Sequence, residues 1–264
     1  MGVPDLAGAL DFYREKMGMT VRSQGPEEAT LGYEVPESMA LRLVAASPNS
    51  NQTRGYWKIG VGVTNAGEAV DTLRNRGLSA KDPSQFLDVG VLTHVEDPDG
   101  NCIEILQDKF APGPPAPWKI GQLSLRVGDI EKSLRFYRDL LGMALVCHYH
   151  VPVGDGFELY FLAGTDEKPP TDDPTSFSHR EWTYSLPGAT LELRAGPAGP
   201  PMGFNPRGTA GWQGLTLAVP SLEAAQQALA AGGIPARATA EGVEAEDPDG
   251  FRVTLVAIAA APAL

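Results

Sequence analysis

The stretch IGQLSLRVGDIEKSLRFYRDLLGM, Ile120–Met143, decides the architecture. Gln122-Leu123-Ser124-Leu125-Arg126-Val127 alternates polar and apolar residues, the two-residue period of a strand with one wet face. Gly128-Asp129 then turns the chain, and Asp129 is placed to cap the helix that follows. In that helix Ile130, Leu134, Tyr137, Leu140 and Leu141 recur at three- and four-residue steps, which lays an apolar face along it. Gly142 ends it.

Part of this unit occurs twice. Asp5-Leu6 and Ala9-Leu10-Asp11-Phe12-Tyr13-Arg14-Glu15-Lys16-Met17-Gly18-Met19 match Asp129-Ile130 and Ser133–Met143 at a constant offset of 124 residues. Further on, Glu96-Asp97-Pro98-Asp99-Gly100 returns as Glu246-Asp247-Pro248-Asp249-Gly250, each time before a short alternating strand. Two matches in the same order imply an internal duplication. The offset places the counterpart of Gln122 before residue 1, so the first half is expected to lack its opening strand, by truncation or by loss. One sheet would then keep an unpaired edge.

Each half otherwise reads as strands around a second helix. In the first half Met39–Ala45, Trp57–Val63, Val89–Val95 and Asn101–Leu106 have strand character, and Ala66–Arg76 is helical up to Gly77. In the second, Phe157–Ala163, Ala189–Arg194, Leu215–Val219, Ala238–Glu244 and Phe251–Ala257 are strands, and Ser221 opens a helix through Ala231. Ala111–Pro117 (APGPPAP) reads as a stiff linker, so the expected units are residues 1–110 and 118–264 joined by 111–117.

With 264 residues, 42% of them hydrophobic, the chain can bury two ordinary cores. Its 21 basic and 33 acidic residues leave a net charge of −12, which argues against nucleic acid or an anionic membrane as partner. No apolar run is long enough to span a bilayer, and residue 1 does not open a secretory signal pattern, so the cytoplasm is the expected location. Cys102 and Cys147, in apolar strand-like runs, are expected to be buried thiols.

A helix reading SLRFYRDLLGM after a polar-alternating strand, with DPDG before a terminal strand, resembles the vicinal oxygen chelate superfamily of glyoxalases, bleomycin-resistance proteins and extradiol dioxygenases. The second half is similar to glyoxalase I (lactoylglutathione lyase): Gln122–Val127, Leu159–Ala163, Ala189–Leu193, Asn205–Gly208 and Leu217–Pro220 follow that family's order. The resemblance implies an α+β fold of four βαβββ modules paired into two domains with curved mixed sheets. It implies a metal site inside a sheet, with two ligands from each half.

Carried over by position, the resemblance makes Gln122, Glu192 and Glu104 metal ligands and places Lys58 where the family has a fourth ligand, His. The equivalent positions of the other concavity are Arg42, Gly214 and Thr254, so one site alone is expected to survive. The implied reaction isomerises the glutathione–methylglyoxal hemithioacetal to S-lactoylglutathione. One divalent ion (Zn, Ni, Mn or Mg) would act as Lewis acid, with glutathione as cosubstrate. Glu104 is the first candidate for general base and Glu192 its partner, while Arg126 and Arg54 match positions that hold glutathione carboxylates.

Lys58 divides the expectation. A protonated lysine cannot ligate a metal, so the three remaining oxygen donors either hold a hard ion weakly or surround the ammonium of Lys58 itself. The first alternative is a lyase; the second is a metal-free small-molecule binding protein. Against both stands the plainer possibility that these are surface charges. His94, His148, His150 and His179 match no ligand position, which argues against a ring-cleaving dioxygenase. The family's dimer interface would be internal to the chain, so it can work as a monomer.

Overall fold

The structure, a computed structural model, describes residues 1–35, 38–48, 55–196 and 207–258. The first half runs β1 (Gly2–Val3), α1 (Leu6–Asp11), β2 (Thr20–Gln24), β3 (Glu28–Gly32), β4 (Leu41–Ala45), β5 (Tyr56–Val63), α2 (Ala66–Asn75), β6 (Ser84–Phe86), β7 (Gly90–Glu96) and β8 (Cys102–Gln107). The second runs β9 (Lys119–Val127), α3 (Ile130–Leu134), β10 (Ala144–Val151), β11 (Phe157–Ala163), α4 (His179–Ser185), β12 (Thr190–Ala195), β13 (Leu215–Val219), α5 (Leu222–Ala231), β14 (Ala236–Ala238), β15 (Val243–Glu246) and β16 (Arg252–Ala257).

The repeated motifs lock each half together. Asp129 accepts from the Lys132 amide at 3.2 Å and Asp5 from the Gly8 amide at 3.0 Å, so both helices start under the predicted cap. Each then widens into a π turn, Phe12–Lys16 and Arg135–Leu140, and ends at a glycine with φ of 75°, Gly18 and Gly142. The wide turn carries a buried tyrosine. Tyr13 donates to Asp97 at 2.8 Å and Tyr137 to Asp247 at 2.9 Å, across 84 and 110 residues. The same aspartates gather the turn amides after them: Asp97 accepts from Asp99 and Asn101, Asp247 from Asp249 and Phe251. FYR and DPDG are thus two parts of one joint, present twice.

The sheets do not follow the halves. β10-β11-β12-β9 of the second half and β5-β8-β7-β6 of the first form one eight-stranded sheet, closed in the middle by the antiparallel pair β9–β5. The other modules form two four-stranded sheets, β1-β4-β3-β2 and β13-β16-β15-β14. The opening strand expected to be missing survives as β1, two residues equivalent to Arg126-Val127, and it lies parallel to β4 as β9 does to β12. Among the described residues the two four-stranded sheets meet through the isolated bridges Gly2–Gly211 and Ser47–Thr209 and through the ion pair of Arg42 with Glu241.

One expectation changes: the single strand over Ala238–Glu244 is instead a hairpin, β14–β15, in which Thr239 and Gly242 bond across the turn. His179 is buried at the start of α4, its Nδ1 2.6 Å from the Val146 carbonyl. No helix among the described residues is long and apolar enough to cross a membrane.

Removing the Tyr137 hydroxyl leaves the Asp247 carboxylate short of one partner in a buried place. Tyr137→Phe is expected to lose about 1–3 kcal/mol in urea denaturation. Tyr13→Phe should cost about as much, because its joint is built the same way.

Candidate functional site

The four positions matched in sequence meet on the concave face of the eight-stranded sheet. Parallel pairing puts Glu192 beside Ser124 and Arg194 beside Arg126; β5 brings Lys58 opposite Ser124, and β8 brings Glu104 alongside. Gly60 lies in register with Gln122, and a Cβ there would stand 2.8 Å from that of Gln122, so the glycine permits the close approach of the halves at this point. The register of β5 against β9 shifts between Tyr56 and Lys58, a bulge that sets Trp57 against the same pocket. The Lys58 ammonium lies 4.4 Å from the Trp57 ring centre.

Lys58 is the hub. Its Nζ is 2.5 Å from Glu104 Oε1 and 3.7 Å from Glu192 Oε2. Gln122 Nε2 donates to Glu192 at 2.7 Å and to Ser124 at 3.0 Å, and the Ser124 hydroxyl donates to Glu192. The group is nearly sealed: Lys58 is 6% exposed, Glu104 2% and Glu192 1%. Surface carboxylates are excluded by that burial. Beside Gln122 remains a cavity of only about 10 Å³, bordered by Gly60, Gly121 and Tyr184. A larger hollow of about 480 Å³ lies between Gly164–Lys168 and Pro187-Gly188, and none of these residues borders it.

The charges follow from the contacts. Burial opposes the ammonium, but Glu104 and Glu192 outweigh it and Lys58 stays protonated, its pKa raised. Burial also opposes the Glu104 carboxylate, yet Lys58 and the His94 ring bring its pKa below the ordinary value. For Glu192, burial and the negative charge of Glu104 prevail over the help from Lys58 and Ser124, and its pKa is raised. His94 was not anticipated. It faces Glu104 because β7 and β8 place the two directly opposite, with Nε2 3.4 Å from Glu104 Oε1.

A divalent ion does not fit this arrangement. The ammonium already stands against Glu104 with Glu192 near, and Gln122 turns its amide N–H to Glu192 while its Oε1, the atom a metal would need, has no partner. Among the described residues no group of three or more His, Cys, Asp and Glu side chains could hold a metal. Of the other expected residues, Arg126 lies on the same strand face and donates to the Tyr56 carbonyl at 3.1 Å. Arg54 falls outside the described residues.

The neighbouring strands add an apolar cluster. Tyr149 and Val151 of β10, Leu159 and Phe161 of β11, and Leu186 form a second core, against which Trp57, Phe157, Trp182 and Tyr184 pack. α4 lies over it, with Arg180 4.3 Å from the Tyr149 ring centre and bonded to Cys147 Sγ. The opposite concavity differs: Arg42 is bound to Glu28 at 2.6 Å and to Glu241 at 3.0 Å, while Thr254 faces Glu244 across the ladder.

The chain belongs to the Glyoxalase/Bleomycin resistance protein/Dioxygenase superfamily, whose family profile matches residues 1–105 and 119–255. Among curated proteins it is similar to a lactoylglutathione lyase of Arabidopsis thaliana, 28% identical over 155 residues, which is 54% of this chain and 53% of that one. It is also similar to the lactoylglutathione lyase of Pseudomonas putida, 47% identical over 70 residues, covering 26% of this chain and 38% of the other. The chain spans about half the length of the curated relatives it matches. Glyoxalase I from Zea mays shares the fold over 98% of this chain and 90% of its own, with a TM-score of 0.71 at 21% identity.

Replacing Lys58 by Met leaves two buried carboxylates without their counter-charge. The expected loss is about 3–5 kcal/mol in urea denaturation, with partial recovery when Glu104→Gln is added. Lys58→His supplies a neutral nitrogen in place of the ammonium. In calorimetric titration it should bind Zn²⁺ or Ni²⁺ more tightly than the unaltered chain; unchanged affinity would mean that the three oxygen donors do not converge on an ion.

Proposed function

We propose that the chain is a glyoxalase I-like lyase acting on a glutathione–2-oxoaldehyde hemithioacetal, methylglyoxal's being the model substrate, through the single pocket centred on Lys58. The observation that carries this is the lysine lying against Glu104 and near Glu192. Environments that push two carboxylates to opposite pKa values mark a proton-transfer pair. Glu104, held charged, fixes the ammonium; Glu192, the more basic, takes the proton from the carbon bearing sulfur and returns it to the neighbouring carbon. The hydroxyl proton on the sulfur-bearing carbon passes to the neighbouring ketone oxygen, so the ketone becomes the alcohol, the thioester carbonyl forms, and the substrate gains and loses no proton overall. Lys58 faces the oxygen on which negative charge develops, the role that a preorganised cation serves in a site closed to water.

A second reading has its own support. The burial of all three charged groups leaves a substrate oxygen no room beside the ammonium unless the pocket opens. In that reading the pocket binds a small molecule and performs no chemistry.

An assay of S-lactoylglutathione formation with chelator-treated protein separates the two. Activity that persists without metal and is abolished by Glu192→Gln or Lys58→Met is the expected result. Activity that appears only on adding Zn²⁺, Ni²⁺, Mn²⁺ or Mg²⁺ would remove Lys58 from the mechanism. No activity under either condition, with glutathione still bound, would leave the binding protein.

A further inference from the structure

The connection between β11 and β12, residues 164–189, is far longer than its counterpart between β3 and β4, residues 33–40, and it carries α4. The inner side of α4 is seated on the second core. The His179 ring donates to the Val146 carbonyl, and Arg180 lies over the Tyr149 ring and donates to Cys147 Sγ at 3.0 Å. Tyr184 borders the small cavity beside Gln122. Exposed contacts fasten the segment from outside. The Phe110 amide donates to Glu181 at 2.8 Å, and the exposed Phe177 ring stacks on Phe110 with centres 5.3 Å apart. Lys119 holds the far end by donating to the Tyr184 and Leu186 carbonyls, both at 2.9 Å.

The seat itself is imperfect. Arg180 Nε is buried without a hydrogen bond and lies 3.9 Å from Asp88 Oδ2. Asp88 follows Leu87, which is held at a φ of 50°, a left-handed conformation that strains a leucine. The stems have room to move: a Cβ at Gly164 or Gly188 would meet nothing within 4 Å, and the hollow of about 480 Å³ lies between them. We propose that residues 164–188 form a lid, hinged at Gly164 and Gly188 and latched by Phe110, that must lift before a ligand reaches the Lys58 pocket. Lifting withdraws Tyr184 from beside Gln122 and from the glycines Gly60 and Gly121 that border the same cavity, which opens the space a substrate oxygen lacks in the sealed cluster. The inference takes the identity of the ligand from the proposed function; the lid rests on the contacts of α4 alone.

Cys147 is buried beneath α4, so its reaction with the disulfide reagent DTNB reports lifting. The test uses the full chain carrying Cys102→Ser, so that Cys147 is the thiol labelled. At low urea the labelling rate should hardly change, because lifting a lid exposes little surface compared with unfolding. Phe177→Ala and Glu181→Gln should each speed labelling about fivefold, the factor that about 1 kcal/mol of lost latch gives. The association rate of glutathione, followed through tryptophan fluorescence, should rise with it. Arg237→Gln, on β14 of another sheet, should change neither rate. Circular dichroism and urea denaturation verify that each variant is folded, and Glu181→Gln serves if Phe177→Ala is not. Labelling that responds to the latch without any glutathione binding would support the lid and overturn the glutathione reading. Labelling that climbs with urea as steeply as unfolding does, labelling indifferent to both latch variants, no labelling at all, or glutathione association that ignores the latch would each overturn the proposal.

Discussion

The antiparallel pairing of β5 with β9 is the constraint on which the rest depends. It fuses a four-stranded unit from each half into one eight-stranded sheet, and it sets Lys58 opposite Ser124 and Gly60 opposite Gln122. Glu192 enters through the parallel pairing of β12 with β9, and Glu104 through that of β8 with β5. Each side chain of the cluster is therefore located by a backbone ladder, not by a loop. A slip of one residue in β5 against β9 would turn Lys58 to the other face and leave two carboxylates unbalanced in the interior.

Charge then determines what the concavity can be. Taking an ammonium and a carboxylate out of water costs several kcal/mol for each ion, and this is recovered only when the geometry is good and the remaining polar atoms are satisfied. Here the Lys58–Glu104 contact is short, and Glu192 is held by Gln122, Ser124 and Lys58. The orphan is Gln122 Oε1. Lysine thus supplies in one side chain the positive charge that the resemblance would assign to an ion. It does so with a fixed tether and without open coordination positions.

Much of this was legible in the sequence, for a physical reason. Strand periodicity fixes which residues share a face, and the duplication identifies corresponding strands, so Gln122, Glu104, Glu192 and Lys58 could be assembled from motifs far apart in the chain. Arg194 shares the face of Glu192 two residues earlier, so TLELR contained it, but its stacking on Trp57 and Phe157 is a property of the packed pocket. Trp57 enters the site through a bulge, which depends on the pairing of β5 with a strand more than sixty residues away. His94 approaches Glu104 through a cross-strand register. α4 carries the polar-looking segment HREWTYS, and its helix is held by tertiary contacts of His179, Arg180 and Trp182, which local propensity does not reveal.

The internal duplication has one more consequence. In a symmetric pair of identical subunits every side chain occurs at both interfaces, so a lysine placed in one pocket is placed in the other. A single chain that carries both halves is released from that rule. Arg42 can pair with Glu28 and Glu241 on one side while Glu192, at the equivalent position, bonds Ser124 and Gln122 on the other. The two concavities can change separately, one serving cohesion and the other recognition, although each began as a copy of the same unit.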